Sequence, residues 1–327
     1  MASPKFSFCF LVLFVSSYGI TCCLGDIWHP KEHAALFVFG DSLFDVGNNN
    51  YINTTADNQA NYSPYGETFF NYPSGRFSDG RVIPDLIADY AKLPLSPPYL
   101  FPGYQRYLDG VNFASAGAGA LVETHQGLVI DLKTQLSYFK KVSKILSQEL
   151  GDAETTTLLA KAVYLINIGS NDYLVSLTEN SSVFTAEKYV DMVVGNLTTV
   201  IKGIHKTGGR KFGVLNQSAL GCIPLVKALL NGSKGSCVEE ASALAKLHNG
   251  LKEGGMACCG SGPYRRYYSC GGKRAVKDYE LCENPSDYVF FDSIHPTERF
   301  NQIISQLMWS GNQSIAGPYN LKTLFEE

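Results

Sequence analysis

Four short apolar runs, each ending in small or polar residues, recur along this chain. Residues 34–38 are apolar without alternation and lead into Phe39-Gly40-Asp41-Ser42. Residues 111–115 lead into Ala116-Gly117, residues 162–168 into Gly169-Ser170-Asn171-Asp172, and residues 211–215 into Asn216-Gln217. Unbroken runs of this kind predict strands buried on both faces, as in parallel sheets. Amphipathic stretches lie between them. Leu132, Leu136, Phe139, Val142, Leu146 and Leu150 share one helical face, with Asp131 as N-cap and Gly151 as stop. Val190, Val193, Leu197, Val200 and Ile204 make a second stripe, opening after Thr185 and closing at Gly208-Gly209. Strands alternating with helices predict a right-handed, mostly parallel α/β sheet.

Residues 62–81 have another texture, with Pro64, Gly66, Pro73, Gly75 and Gly80 among aromatics, and read as a long ordered loop over the strand ends. No repeat, low-complexity tract or linker divides the chain after its start, so one domain is expected over residues 26–327. Residues 1–25 predict a signal peptide: Lys5 precedes an apolar core at 6–20, and Cys23 and Gly25 occupy the −3 and −1 positions before Asp26. No later window reaches membrane-spanning length and the C-terminus carries no anchor or retention signal. A secreted, extracellular protein without a stable membrane anchor is expected.

Cysteine usage agrees with export. Cys9, Cys22 and Cys23 fall in the leader, leaving Cys222, Cys237, Cys258, Cys259, Cys270 and Cys282 for the mature chain. An even number suits disulfides in an oxidising compartment, with fifteen pairings open. The Cys258-Cys259 doublet lacks zinc-ligand spacing, so no metal is expected. Asn-x-Ser/Thr sequons at Asn53, Asn61, Asn180, Asn196, Asn231 and Asn312 are candidate glycosylation sites. A seventh, Asn216, ends an apolar run and is expected to be the least accessible. The net charge of −3 gives no reason to expect nucleic acid as a partner.

Ligands of open α/β sheets bind at the carboxyl ends of the strands. Ser42 stands there after the first strand, a candidate nucleophile. Acyl transfer also needs a base, a group orienting the base, and donors for the oxyanion. Among the six histidines, His295 is distinctive, because Asp292 precedes it by three residues in Asp292-Ser293-Ile294-His295-Pro296-Thr297. Gly117 and Asn171, at the next two strand ends, are candidate oxyanion donors through a backbone N–H and a side-chain amide. Read alone, Gly117 is equally a turn glycine and Asn171 equally a helix N-cap. Asp41 and Asp45 read as turn and capping residues.

These residues resemble the plant secreted GDSL esterases/lipases of the SGNH hydrolase superfamily. The matching blocks are residues 39–49, 110–117, 169–172 and 292–297, with Pro73-Ser-Gly-Arg-Phe-Ser-Asp-Gly-Arg81 and Gly221-Cys-Ile-Pro224 in support. The resemblance implies a flavodoxin-like three-layer α/β/α fold with a mostly parallel sheet. It implies Ser42 as nucleophile, His295 as base and Asp292 as its orienter, with Ser42 N–H, Gly117 N–H and the Asn171 amide as oxyanion hole. The substrate would be a small-molecule, lipid or cell-wall ester, with no cofactor, and the protein a monomer.

One departure changes the expectation. In the family a helix, a fifth strand and a further helix lie between the fourth strand and the Cys-Cys segment. Here the helix beginning near Ala241 runs within a few residues of Lys252-Glu253 into Cys258-Cys259, and a βα unit needs roughly thirty residues. The fifth strand is therefore expected to be missing, the fourth strand to be an open edge, and the Asp292–His295 loop to be loosened. Residues 288–291 are a candidate short substitute beside the fourth strand. Two functions follow: a serine esterase, or a catalytically impaired isoform that binds glycan or lipid.

Overall fold

The computed structural model describes residues 34–179, 184–217, 220–230, 236–249, 257–262, 265 and 267–326. The expected signal peptide, the sequons at Asn180 and Asn231 and the Lys252-Glu253 junction lie outside the described residues. Every apolar run becomes a strand: β1 (Leu36–Gly40), β2 (Gly110–Asn112), β3 (Val163–Asn167) and β4 (Lys211–Val214). All pairings are parallel, in the order β2-β1-β3-β4, with Leu36 opposite Val163 and Gly40 opposite Asn167.

The alternation of side chains along the two central strands explains the layers. Phe37 and Phe39 of β1 and Tyr164 and Ile166 of β3 face one side. They meet the apolar stripes of α2 (Leu132–Leu150) and α5 (Ala186–Thr207), with Leu159 of α3 (Asp152–Lys161) and Ala241 of α7 (Glu239–Asn249). Leu36, Val38, Val163 and Leu165 face the other side. There they pack with α1 (Ile83–Tyr90), α8 (Glu298–Ser310) and α9 (Leu321–Glu326). The result is the expected three-layer α/β/α arrangement. The predicted helix boundaries hold: Asp131 accepts the Thr134 N–H at the start of α2, Gly151 ends it, and Thr185 and Gly208 bracket α5.

Two helices shape the site end of the sheet. α4 (Ser170–Glu179) follows β3 directly, and α6 (Pro224–Leu229) follows β4. β4 pairs only with β3 among the described residues, and Val214 is 46% exposed, so the sheet ends in an open edge. The candidate substitute does not form there. Phe290 instead bridges Ala257 and Pro296, because the disulfide-bonded segment, not the sheet edge, supplies its hydrogen-bonding partners. Asn216 also departs from expectation: following the edge strand, it is exposed.

The six cysteines from Cys222 onward form Cys222–Cys237, Cys258–Cys282 and Cys259–Cys270. The last two staple a two-stranded ribbon, β5 (Cys259–Gly260) with β6 (Glu280–Leu281). This ribbon packs on a cluster of Tyr62, Tyr65 and Phe77 from the aromatic loop.

Candidate active site

β1 ends at Gly40, where φ is +153° and an added Cβ would overlap the Asn167 carbonyl, so only glycine passes this close to β3. The chain then turns through Asp41, whose carbonyl accepts the N–H groups of Phe44 and Asp45. The turn delivers Ser42 to the floor of a cleft of about 240 Å³. His295 arrives from 253 residues away, and its Nε2 lies 2.8 Å from Ser42 Oγ. Its Nδ1 lies 2.9 and 2.8 Å from the two oxygens of Asp292. A ring nitrogen facing a carboxylate carries the proton, which leaves Nε2 to accept from the serine hydroxyl.

The loop holding Asp292 and His295 is not loosened. Leu225 N–H of α6 donates to Ser293 O at 2.9 Å, and Phe291 N–H closes onto His295 O at 2.7 Å. Cys258 and Cys259 N–H groups bind Phe290 and Phe291 carbonyls at 2.8 and 2.6 Å. These ties run to α6 and the stapled segment, both of which are present. The hold on the loop therefore rests on elements present among the described residues.

Asp292 is buried and accepts three bonds besides the imidazole pair: Ile294 N–H at 2.8 Å and His295 N–H at 2.7 Å on one oxygen, and the Tyr65 hydroxyl at 2.5 Å on the other, with Nδ1 of His295 bridging both. Burial alone would push its carboxyl up. The charge and hydrogen bonds of His295 and the Tyr65 hydroxyl outweigh that and hold it well below the usual carboxylate range.

Gly117 and Asn171 line the same cleft as Ser42 and His295. Asn49 Nδ2 donates to Ala116 O at 2.9 Å, and Asp45 accepts the Ala116 N–H at 3.0 Å. Because the peptide is planar, holding the Ala116 carbonyl also sets the direction of the Gly117 N–H. His125 Nδ1 donates to Gly117 O at 2.8 Å, fixing the following peptide. Asn171 lies in the first turn of α4 and is not its N-cap. One of its amide hydrogens goes to Ala118 O at 2.9 Å, and the NH₂ keeps a second. Asp45 behaves as the turn residue expected, accepting Gly47 and Asn48 N–H groups at 2.7 Å each.

The cleft has two unlike walls. Leu174, Val175 and Thr178 of α4, Leu225 and Leu229 of α6 and Ile294 form an apolar side. Asp57, Asn58, His125 and Tyr268 form a polar one. Of the aromatic loop only Phe77 reaches the cleft, with its ring 4.5 Å from that of His295. Tyr65 and Phe77 are otherwise packed, so the loop is mainly support.

Ser42 follows a strand end, and a distant loop brings His295 and Asp292 to it. Residues 36–308 fit the family model described as GDSL-like Lipase/Acylhydrolase. The chain belongs to this family. Its similar relatives include GDSL esterase/lipase 5 of Arabidopsis thaliana, 49% identical over 89% of this chain and 87% of the relative. GDSL esterase/lipase 1 of the same plant is 47% identical, covering 95% of each chain. The GDSL lipase of Tanacetum cinerariifolium is 42% identical over 100% of this chain and 96% of its own. That last alignment runs over 364 positions against the 327 residues present here, so the relative has residues with no counterpart in this chain. The shortfall agrees with an absent internal segment.

Proposed function

We propose that this GDSL family member is an exported serine esterase that hydrolyses carboxylic esters through an acyl-enzyme. The observation that carries the reading is the continuous hydrogen-bonded path from Ser42 Oγ through His295 to Asp292. In the first half-reaction Ser42 Oγ attacks the ester carbonyl carbon while His295 Nε2 takes its proton. The oxyanion is held by Ser42 N–H, Gly117 N–H and the second Asn171 amide hydrogen. His295 then returns the proton to the leaving alcohol as the carbon–oxygen bond breaks. Water, deprotonated by the same nitrogen, attacks the acyl-serine and releases the acid.

Asp292 keeps its charge throughout, orienting the ring and stabilising the imidazolium. The carboxylate held well below its usual range suits that role. No cofactor enters these steps. Substrates are small-molecule, lipid or cell-wall esters, and the apolar wall favours an apolar acyl group. Three disulfides fit folding in an oxidising compartment, consistent with a secreted protein. Asn53, Asn196 and Asn312 are exposed sequons suited to glycosylation, whereas Asn61 is half-buried and accepts Lys273 Nζ at 2.8 Å.

The alternative, a non-catalytic glycan- or lipid-binding isoform, is motivated by the missing strand–helix unit, and the hydrogen bonds that hold the histidine loop favour the esterase reading over it. A fluorophosphonate probe decides the matter. It is expected to label the purified protein and not Ser42→Ala, with ester hydrolysis lost in Ser42→Ala and His295→Ala. Equal labelling of wild type and Ser42→Ala ends the proposal.

A further inference from the structure

Behind the carboxylate of Asp292 lies a charged layer that the steps above do not use. Tyr65, buried under the aromatic loop, donates its hydroxyl to Asp292 Oδ2 at 2.5 Å and accepts from Arg274 Nη2 at 3.3 Å. The Arg274 side chain is fully buried, stacked 3.9 Å over the ring of Tyr268. Its Nη1 donates to Asp57 Oδ1 at 2.9 Å and Ala56 O at 3.1 Å. Its Nε has no partner among the described residues. Asp57, the ion-pair partner, is 59% exposed. Burying a guanidinium with an N–H left over, against a solvent-facing carboxylate, is a poor route to stability. A different reason is needed for a cation at this place.

We propose that Tyr65 and Arg274 are positioning residues of the catalytic site. The guanidinium polarises the Tyr65 hydroxyl, and the hydroxyl locks the Asp292 carboxylate in the plane His295 requires while taking up part of its charge. The inference rests on the reading of Ser42, His295 and Asp292 as the catalytic triad. It also gives the cysteine-rich segment a role beyond stapling. Arg274 follows Cys270 by four residues, and Cys259, the disulfide partner of Cys270, donates its N–H to Phe291 O next to Asp292. The same segment thus grips the Asp292 loop from its backbone and its carboxylate from behind.

The groups facing Asp292 are His295 on its own loop, Tyr65 and Tyr62 from the aromatic loop, and Tyr268 and Arg274 from the stapled segment. A hydroxyl bonded to the carboxylate leaves less negative charge to stabilise the imidazolium. Removing it makes His295 more basic, so the acidic limb of kcat/KM moves to higher pH. A merely structural loss would lower the rate and leave that limb in place.

The test uses the secreted full-length protein and p-nitrophenyl butyrate, comparing wild type, Tyr65→Phe, Arg274→Met, the double variant and Ser42→Ala, each with its thermal unfolding curve. Tyr65→Phe is expected to lower kcat/KM about tenfold and to raise the acidic limb by roughly half to one pH unit. Arg274→Met is expected to move the limb the same way, and to add little in the double variant, because it acts through Tyr65. An acidic limb unmoved in Tyr65→Phe, or effects that add in full, overturn the inference. Should Tyr65→Phe fail to fold, the limb of Arg274→Met is the deciding measurement, and no shift there overturns it equally. Ser42→Ala at wild-type activity would remove the triad and this inference together. An inactive Ser42→Ala with unmoved limbs removes the positioning role alone.

Discussion

Gln135 holds both backbone groups of Gly40: its Oε1 accepts the Gly40 N–H at 2.9 Å and its Nε2 donates to Gly40 O at 2.8 Å. The same Nε2 also donates to Ile130 O at 2.8 Å. Gln135 is a fully buried polar residue beside the apolar stripe of α2, adjacent to Leu136. It joins that helix to the strand end two residues before Ser42. Ser42 is thus seated on a helix 95 residues away as well as on its own turn.

Replacing Gln135 by leucine keeps the volume and strips its bonds from the buried Gly40 N–H and Ile130 O, whereas Gly40 O keeps the Ser115 N–H at 3.0 Å. Each such orphan costs about 1–3 kcal/mol. Gln135→Leu is therefore expected to lower unfolding free energy by about 2–5 kcal/mol and to reduce kcat more than it changes KM, since the Ser42 turn loses its anchor. Urea unfolding and steady-state kinetics check both. A variant as stable as wild type would show that the clamp contributes nothing.

The strands and the two long helices were legible because their signals are local. Asp131, Thr185, Gly151 and Gly208 cap and stop helices whose apolar stripes are continuous. The Thr297 cap and the spacing of Phe300, Ile303, Ile304, Leu307 and Met308 carry an equally local signal for α8. α1 and α6 are short, start with proline in the first turn, and draw their stability from packing. The site divides in the same way. Ser42, Asp292 and His295 stand in ordered blocks at turns. Tyr65 meets Asp292 across 227 residues and Arg274 meets Tyr65 across 209, and no spacing in the chain announces either approach. The hold on the histidine loop was likewise hidden, because it depends on Leu225 and the cysteine doublet, far from the loop in sequence.

Asp41 adjoins Ser42, is fully buried, and has one oxygen without a partner among the described residues. Loss of hydration pushes its carboxyl up to about 7. The folded state therefore binds this proton more tightly than the unfolded state does. Below about pH 4, where both states hold the proton, nothing is lost. Stability then falls as pH rises towards 7, and the loss is complete above it. Asp41→Asn keeps the acceptor for Leu43 N–H and removes the ionisation. Its stability relative to wild type is expected to improve from pH 5 to pH 8, by up to about 3 kcal/mol. Chemical unfolding across that range measures the difference, and a difference flat with pH removes Asp41 as its source.

Among the described residues β4 pairs only with β3, which leaves its other edge open. Unpaired strand edges invite pairing with other chains, and a lysine on the edge opposes it. Val214 is the exposed apolar side chain of that strand. Wild type is expected to self-associate as concentration rises, and Val214→Lys to do so less. Light scattering coupled to size exclusion compares the two. Identical behaviour at every concentration would mean that the edge is covered in solution.

The apolar wall of the cleft sets an expectation for acyl length. A space of about 240 Å³ shared with the oxyanion site leaves room for a short chain between α4 and α6. A longer chain must run out over Leu229, which is half exposed. Hydrolysis of p-nitrophenyl esters is therefore expected to peak at short acyl groups. Leu225 lines this wall with its side chain while its backbone N–H holds Ser293, so truncating the side chain widens the cleft without releasing the histidine loop. With a buried methylene worth about 0.8 kcal/mol, room for two more changes relative kcat/KM roughly tenfold. Leu225→Ala is thus expected to raise the octanoate-to-butyrate ratio by that factor, and Val175→Phe, on the facing helix, to lower it. If both substitutions leave the ratio where it was, the acyl chain lies against the polar wall of Asn58 and His125 instead, and α4 and α6 have no part in choosing it.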